Sequence, residues 1–267
     1  MESTLSISKN DLAMAVGVFC GYGKGVLGSE KAWSTRQSDK VEDCLVSGVR
    51  QFYYPLPVDG STQHQWSFLR PVTTLTLALG ARSVTLPDDF GGLVDGVSLP
   101  ATSSMTGRRK LAVTADSRVR DAYSIGSPSP TGPPSLVSVI PLKGTTLEEG
   151  QRWQLDFYPG ADVAYTFDLA YHILADRLSG AQPWVYGGSL HSETVLESCL
   201  AIAEERIFDA PGVHAMKFRE LLRGSIDADK RFRPGSLGYN SDRSDEMGRV
   251  YGGRGRGRDD GDLVTYV

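Results

Sequence analysis

The sequence predicts an α+β protein. A helical bundle is formed by N- and C-terminal helices, an antiparallel β domain of sandwich or barrel-like form is inserted between them, and an extended C-terminal tail follows. Three observations predict it. Apolar residues recur at steps of three and four in residues 1–65 and again in 189–232, which places them on one helical face. The period changes to two between those sections, the spacing of a half-buried strand. Strands do not alternate with long helices, which disfavours a parallel βαβ architecture. The resulting divisions are 1–65 and 179–233 for the two parts of the bundle, 66–178 for the β domain and 234–267 for the tail.

Ser8 or Asn10 can cap a first helix carrying Leu12, Met14, Ala15, Val18 and Phe19. Gly21-Tyr22-Gly23-Lys24-Gly25 stops it, because glycine supplies positive φ. A second helix begins at Ser38 or Asp39, with Val41, Cys44, Leu45, Val49 and Phe52 on one stripe. It ends before Pro55-Leu56-Pro57, since the residue preceding a proline is driven out of the α region.

In the middle section Leu75, Leu77 and Leu79 alternate with polar or small residues, and Val84 and Leu86 follow the Gly80-Ala81 turn. Trp153, Leu155 and Phe157 alternate before Pro159-Gly160. Val163, Tyr165, Phe167, Leu169 and Tyr171 alternate after it, so these two runs read as a hairpin. Weaker strands are expected near 93–99, 109–114 and 135–142, with a short helix over 115–123. The prolines of 127–134 make that stretch a loop.

Ser189 can cap a third long helix whose stripe is Leu196, Leu200, Ala203 and Ile207, widened by Val195, Cys199 and Ile202. Glu197, Glu204, Glu205 and Arg206 are expected to face outward. Asp209-Ala210-Pro211-Gly212 breaks it. The next helix carries Val213, Met216, Phe218, Leu221, Leu222 and Ile226 and ends at Pro234-Gly235, completing a helical hairpin. Beyond it, the tail has too few aliphatic residues to offset the roughly 1–2 kcal/mol per residue that backbone ordering costs. It is expected to order on a partner.

Composition narrows the function. The chain has 267 residues, 40% hydrophobic and 22% charged, with a formal charge of -4, values of a globular protein without the basic balance of a duplex binder. Cys20, Cys44 and Cys199 are too few and too far apart for a disulfide scaffold or a zinc site, and read as small buried side chains in a reducing compartment. No secretory leader and no membrane-spanning run of about 18–20 apolar residues is expected. His64, His172, His191 and His214 show no metal-binding spacing and read as surface or cap residues. Gly23 to Gly28 matches G-x-G-x-x-G but follows a helical stripe where a dinucleotide fold needs a strand, and a P-loop fails at Val18 and Gly25. Asp88-Asp89 sits among turn residues. No catalytic residue, cofactor or metal ligand is therefore assigned.

Two further stretches point to contacts. Gly252-Gly253-Arg254-Gly255-Arg256-Gly257-Arg258 is of the kind that clings to single-stranded nucleic acid, although Asp259, Asp260 and Asp262 offset its charge. A nucleic-acid module acting through this tail is one reading; a tail docking on protein through Tyr239, Tyr251 and Tyr266 is the other. Aromatics also concentrate at Gln51 to Pro55 and Gln65 to Leu69. They fit either packing between sections or a subunit interface.

These residues resemble a known family. Val16-Gly17 with Gly21-Tyr22-Gly23, Ser47 to Pro55, Trp66 to Pro71, and Leu86 to Gly91 recur in that order in head-to-tail adaptor proteins of tailed bacteriophages, of the tail tubular protein A type in short-tailed phages. Phe218, Leu222, Ser225-Ile226, Asp229 to Arg231 and Leu237 to Tyr239 are similar to the end of those adaptors. The resemblance is weakest across 93–150, and the arginine-glycine run departs from it. It implies a structural ring, most often of twelve copies, that joins the capsid portal to tail or nozzle proteins and lines a passage for double-stranded DNA. It places the protein at the head–tail junction of the virion, after assembly in host cytoplasm. It implies portal docking through Arg231, Phe232, Leu237, Tyr239 and Tyr251. Arg50, Tyr53, Tyr54 and Trp66 become the expected subunit-interface residues.

Overall fold

A computed structural model describes residues 3–23, 32–57, 62–99, 109–125, 130–142 and 150–232. The chain is a mixed α+β protein with five α-helices and two sheets among those residues. It divides into two compact units. One comprises the chain up to Arg70 and from Leu174 to the end of the last helix; the other runs from Pro71 to Ile173. Expected tail contacts at Leu237, Tyr239 and Tyr251 lie outside the described residues, as does Gly23 to Gly28 apart from Gly23 itself.

The first unit holds α1 (Lys9–Phe19), α2 (Thr35–Tyr53), α4 (Ser192–Phe208) and α5 (Val213–Phe232). Ser8 caps α1 in a capping box with Asp11. The second helix starts a turn earlier than the apolar stripe suggests. Ser34 and Gln37 form their own capping box, so hydrogen bonding rather than hydrophobic period sets the start. Val41, Cys44, Leu45, Val49 and Phe52 are all buried. Of the three cysteines, Cys20 is only half-buried, while Cys44 and Cys199 are enclosed.

Helix α4 packs against α1, α2 and α5. Its buried residues therefore go nearly round the helix: Thr194, Val195, Glu197, Ser198, Cys199, Leu200, Ala201, Ala203 and Glu204. This corrects two expectations. Glu197 and Glu204 do not face outward, and Ile207, counted in the core stripe, is 45% exposed. A helix ringed by neighbours on three sides has no wholly polar face. The approach of α2 to α4 is close: a Cβ on Gly48 would lie 2.6 Å from the Cα of Cys199. The Ser198 hydroxyl donates to the Gly48 carbonyl at 2.8 Å across the same contact.

The second unit holds two four-stranded sheets. The first contains β1 (Val72–Leu77), β8 (Tyr165–Ile173), β3 (Phe90–Leu99) and β4 (Arg109–Lys110) in that order. The second contains β2 (Ser83–Thr85), β7 (Arg152–Tyr158), β6 (Leu136–Leu142) and β5 (Ala112–Val113). Pairing is antiparallel except between β5 and β6, which α3 (Asp116–Ile125) connects. A parallel pair needs such a crossover. Among the described residues neither sheet closes into a barrel.

The expected hairpin around Pro159-Gly160 does not form. Its two runs are β7 and β8, which belong to different sheets and pair with other strands. Phe157 and Phe167 explain this. Each is fully buried, and they stack at 4.6 Å across the interior from opposite sides. Neighbouring strands of one sheet lie about 5 Å apart, but packed sheets about 10 Å, and the 159–164 connection is long enough for the wider step. The Gly160 and Ala161 N–H groups donate to Pro130 and Ala81 instead of closing a turn.

In an open helix position, Gly→Ala stabilises by about 0.5–1 kcal/mol. At Gly48 the sign reverses: Gly48→Ala is expected to cost about 1–3 kcal/mol through overpacking on Cys199. Urea unfolding measures it. A Gly48→Ala protein as stable as the parent would refute the close approach.

Candidate interaction surface of the helical unit

The segment after α2 is fixed by aromatic packing. Trp66 is 1% exposed, its indole N–H donates to the Phe52 carbonyl at 2.8 Å, and its ring lies 4.7 Å from Phe52 and 5.2 Å from both Phe68 and His191. His191 does stand at the N-cap of α4, but its side chain makes no cap bond and is buried in the core, and burial holds its imidazole below the usual histidine range. Sequence reasoning missed it because a lone histidine carries no period.

A carboxylate ties this segment to the end of α5. Asp229, 2% exposed, accepts from the Ser67 N–H at 3.1 Å and the Ser67 hydroxyl at 2.5 Å, and lies 2.9 Å from His64 Nε2. Ser67 opens the 3-10 turn Ser67–Leu69, so the carboxylate meets an N–H with no helical partner. Two motifs far apart in sequence, Trp66 to Arg70 and Asp229 to Arg231, are thereby joined into one clasp.

The four residues expected at a subunit interface separate here. Trp66 and Tyr53 are buried in their own chain, the packing alternative, and the Tyr53 hydroxyl accepts from the Tyr186 N–H at 2.8 Å. Tyr54 is 38% exposed and accepts from the Ala175 N–H at 3.1 Å. It lines a small cleft of about 70 Å³ with exposed Arg50, Lys9, Glu42, Asp176 and Arg177. Arg231 is exposed on the last turn of α5, and Phe232 ends that helix.

The turn from α4 to α5 also faces outward. Asp209 ends α4 in the left-handed region (φ 52°). Glu204 then caps α5 by accepting from the Val213 and His214 N–H groups at 3.1 and 3.0 Å, where a negative charge is favoured. A Cβ on Gly212 would collide with that carboxylate at 2.2 Å. Below it, Glu197 accepts from Lys217 and sits 2.7 Å from His214 Nδ1. Burial pushes the Glu197 carboxyl up, but the hydrogen bonds and charges of Lys217 and His214 outweigh it and hold the group below its ordinary value.

This turn presents apolar side chains. Phe208 is 66%, Val213 67% and Met216 64% exposed. The sequence stripe puts Val213 and Met216 in the core, and the structure corrects it. The buried face of α5 is Phe218, Leu222, Ser225, Ile226 and Asp229; carried back one turn, that phase reaches 214 and 215. Phase, not hydrophobicity, was the signal. Beside the turn runs a groove of about 540 Å³ lined by Pro55, Leu56, Ala215, Phe218 and Leu222, with Leu56 78% exposed. Apolar exposure gathered in this way makes the turn a candidate contact surface.

Comparison with known protein families found no matching family model, and no curated protein matched the chain.

Two outcomes follow from these clusters. Asp229→Ala leaves the Ser67 N–H without its partner and should cost about 1–3 kcal/mol, with a red-shifted tryptophan emission as the Trp66 cluster loosens; unchanged stability would count against the clasp. For Glu197 the lowered folded value means stability is gained above the unfolded carboxylate pKa of about 4.3 and lost as pH falls through the folded one. Glu197→Gln should therefore unfold more easily at pH 7 and converge with the parent in acid. Parallel pH curves would exclude the ion cluster as the cause.

Proposed function

We propose that the chain is a structural subunit of a phage virion, a head-to-tail adaptor. Copies form a ring, most often twelve, that joins the capsid portal to tail or nozzle proteins and lines the passage of double-stranded DNA. In this reading the four helices are the adaptor's bundle and the two facing sheets its β-sandwich. It acts at the head–tail junction after assembly in host cytoplasm, without chemistry, cofactor or membrane.

The observation that carries the reading is the apolar tip at Phe208, Val213 and Met216 beside the groove at Leu56. Leaving these side chains in water is unfavourable by about 25 cal/mol per Å² of apolar surface, so a protein that holds them outward on a braced hairpin has a use for them. A ring joins unlike patches of successive copies. The tip is one such patch and the cleft at Arg50 and Tyr54 another. The ordered motif set supports the same reading, and a formal charge of -4 suits a conduit that must not retain phosphates. Arg231, Phe232, Leu237, Tyr239 and Tyr251 are the proposed portal contacts. Trp66 and Tyr53 brace the interface from inside.

Electron microscopy of the protein mixed with the portal of its phage tests this. A closed ring seated under the portal is expected, and a portal left bare contradicts it. Truncation after Arg233 should leave the helices and sheets folded and weaken docking. Undiminished docking would remove the tail from the contact.

A further inference from the structure

We infer that two copies of the chain pair through the outer edge of β1, antiparallel about a twofold axis at Thr74, so that their four-stranded sheets join edge to edge. An open sheet ends in strands whose outer N–H and C=O groups have no ladder partner, and proteins blunt such edges by shortness, charge, proline or a bulge. Among the described residues three of the four edges are blunted by length: β2 has three residues, and β4 and β5 have two each. β1 is different. It runs for six residues against β8 with unbroken register, whereas β3 shifts register twice along β8. No proline falls within it, and no charged residue stands between Arg70 and Arg82. β-branched Val72, Thr73, Thr74 and Thr76 favour the extended state.

The phase of the ladder identifies the free groups. The Tyr171 N–H donates to the Pro71 carbonyl at 3.3 Å. Along an antiparallel pair, residues alternate between bonding the partner and pointing away from it. Thr73, Leu75 and Leu77 therefore bond Leu169, Phe167 and Tyr165. Val72, Thr74 and Thr76 turn their N–H and C=O groups outward, and all three residues are exposed. Among the described residues no other element bonds those groups.

A row of this kind is satisfied by another extended strand, and this row is complementary to itself. With Thr74 facing the second copy's Thr74, Val72 faces the second copy's Thr76, and Thr76 its Val72. Each such pair exchanges two hydrogen bonds, so every outward group is used, and a slip of one pair in either direction leaves some of them unbonded. Threonine facing threonine is a favourable cross-strand pair, and the lack of charge leaves nothing to repel a second copy or to select a charged peptide in its place. A patch that meets itself closes at two copies. The inference concerns this strand in the free chain and does not rest on the adaptor reading.

One strand pair is a small interface, so the test is sedimentation of the full chain over a wide range of concentration. The parent should pass from the monomer mass towards twice that mass as concentration rises. Thr74→Lys sets two ammonium groups face to face and should hold the protein at the monomer mass, with its unfolding temperature kept because the side chain is exposed. Thr74→Cys should form a disulfide with itself between copies on mild oxidation, since the paired Cα atoms would lie about 5.5 Å apart, within disulfide reach. Thr73→Cys should not, because it would face the second copy's Leu75. A parent that stays monomeric at every concentration would overturn the inference. So would a Thr74→Lys protein that dimerises as well as the parent, a Thr74→Cys protein linked only through half-buried Cys20 or not at all, or a Thr73→Cys protein that links as readily.

Discussion

The burial of α4 is the constraint from which the helical unit follows. Three helices contact it, so its polar residues must find partners inside the fold or be absent. Ser198 bonds the Gly48 carbonyl, Thr194 lies 2.6 Å from the Ser225 hydroxyl, Glu197 holds Lys217 and His214, and Glu204 caps α5. The first holds α4 to α2, and the others set the rotation and height of α5 against α4. Once that phase is fixed, Phe218, Leu222 and Ile226 enter the core, and Val213 and Met216 cannot follow them.

The exposed tip is thus a consequence of core geometry. A hairpin turn held by a buried carboxylate, a left-handed Asp209 and a glycine with no room for a side chain is a stiff support. Stiffness matters at an interface, because a preordered surface avoids part of the ordering cost of binding. At the far end of α5 the Asp229 clasp performs the corresponding service. It fixes the helix against the Trp66 cluster just before the chain leaves toward its tail.

Much of this was legible in the residues, and the failures have distinct causes. The α2 stripe and the alternation in β7 and β8 are written in period, and the structure has them. Strand partners are not written that way: two alternating runs around Pro-Gly look alike whether they pair or face each other across a core, and only the shared burial of Phe157 and Phe167 distinguishes the cases. The outward prediction for Glu197 and Glu204 failed because charge alone does not reveal a basic residue or a helix start waiting on the next helix. Trp66 and Tyr53 fit either packing between sections or the subunit interface at which they are expected, and only their burial and their hydrogen bonds to Phe52 and Tyr186 put them inside their own chain. The Asp229–Ser67–His64 clasp joins positions more than 160 residues apart and has no local signature.

The claim that the α4–α5 tip is the surface buried in assembly is tested most directly by hydrogen exchange on the full chain, free and bound in its head–tail complex. New protection is expected over 207–216 and over 55–57, with the amides of α4 already slow in the free protein. Protection gained elsewhere while 207–216 exchanges at its free rate would contradict the account.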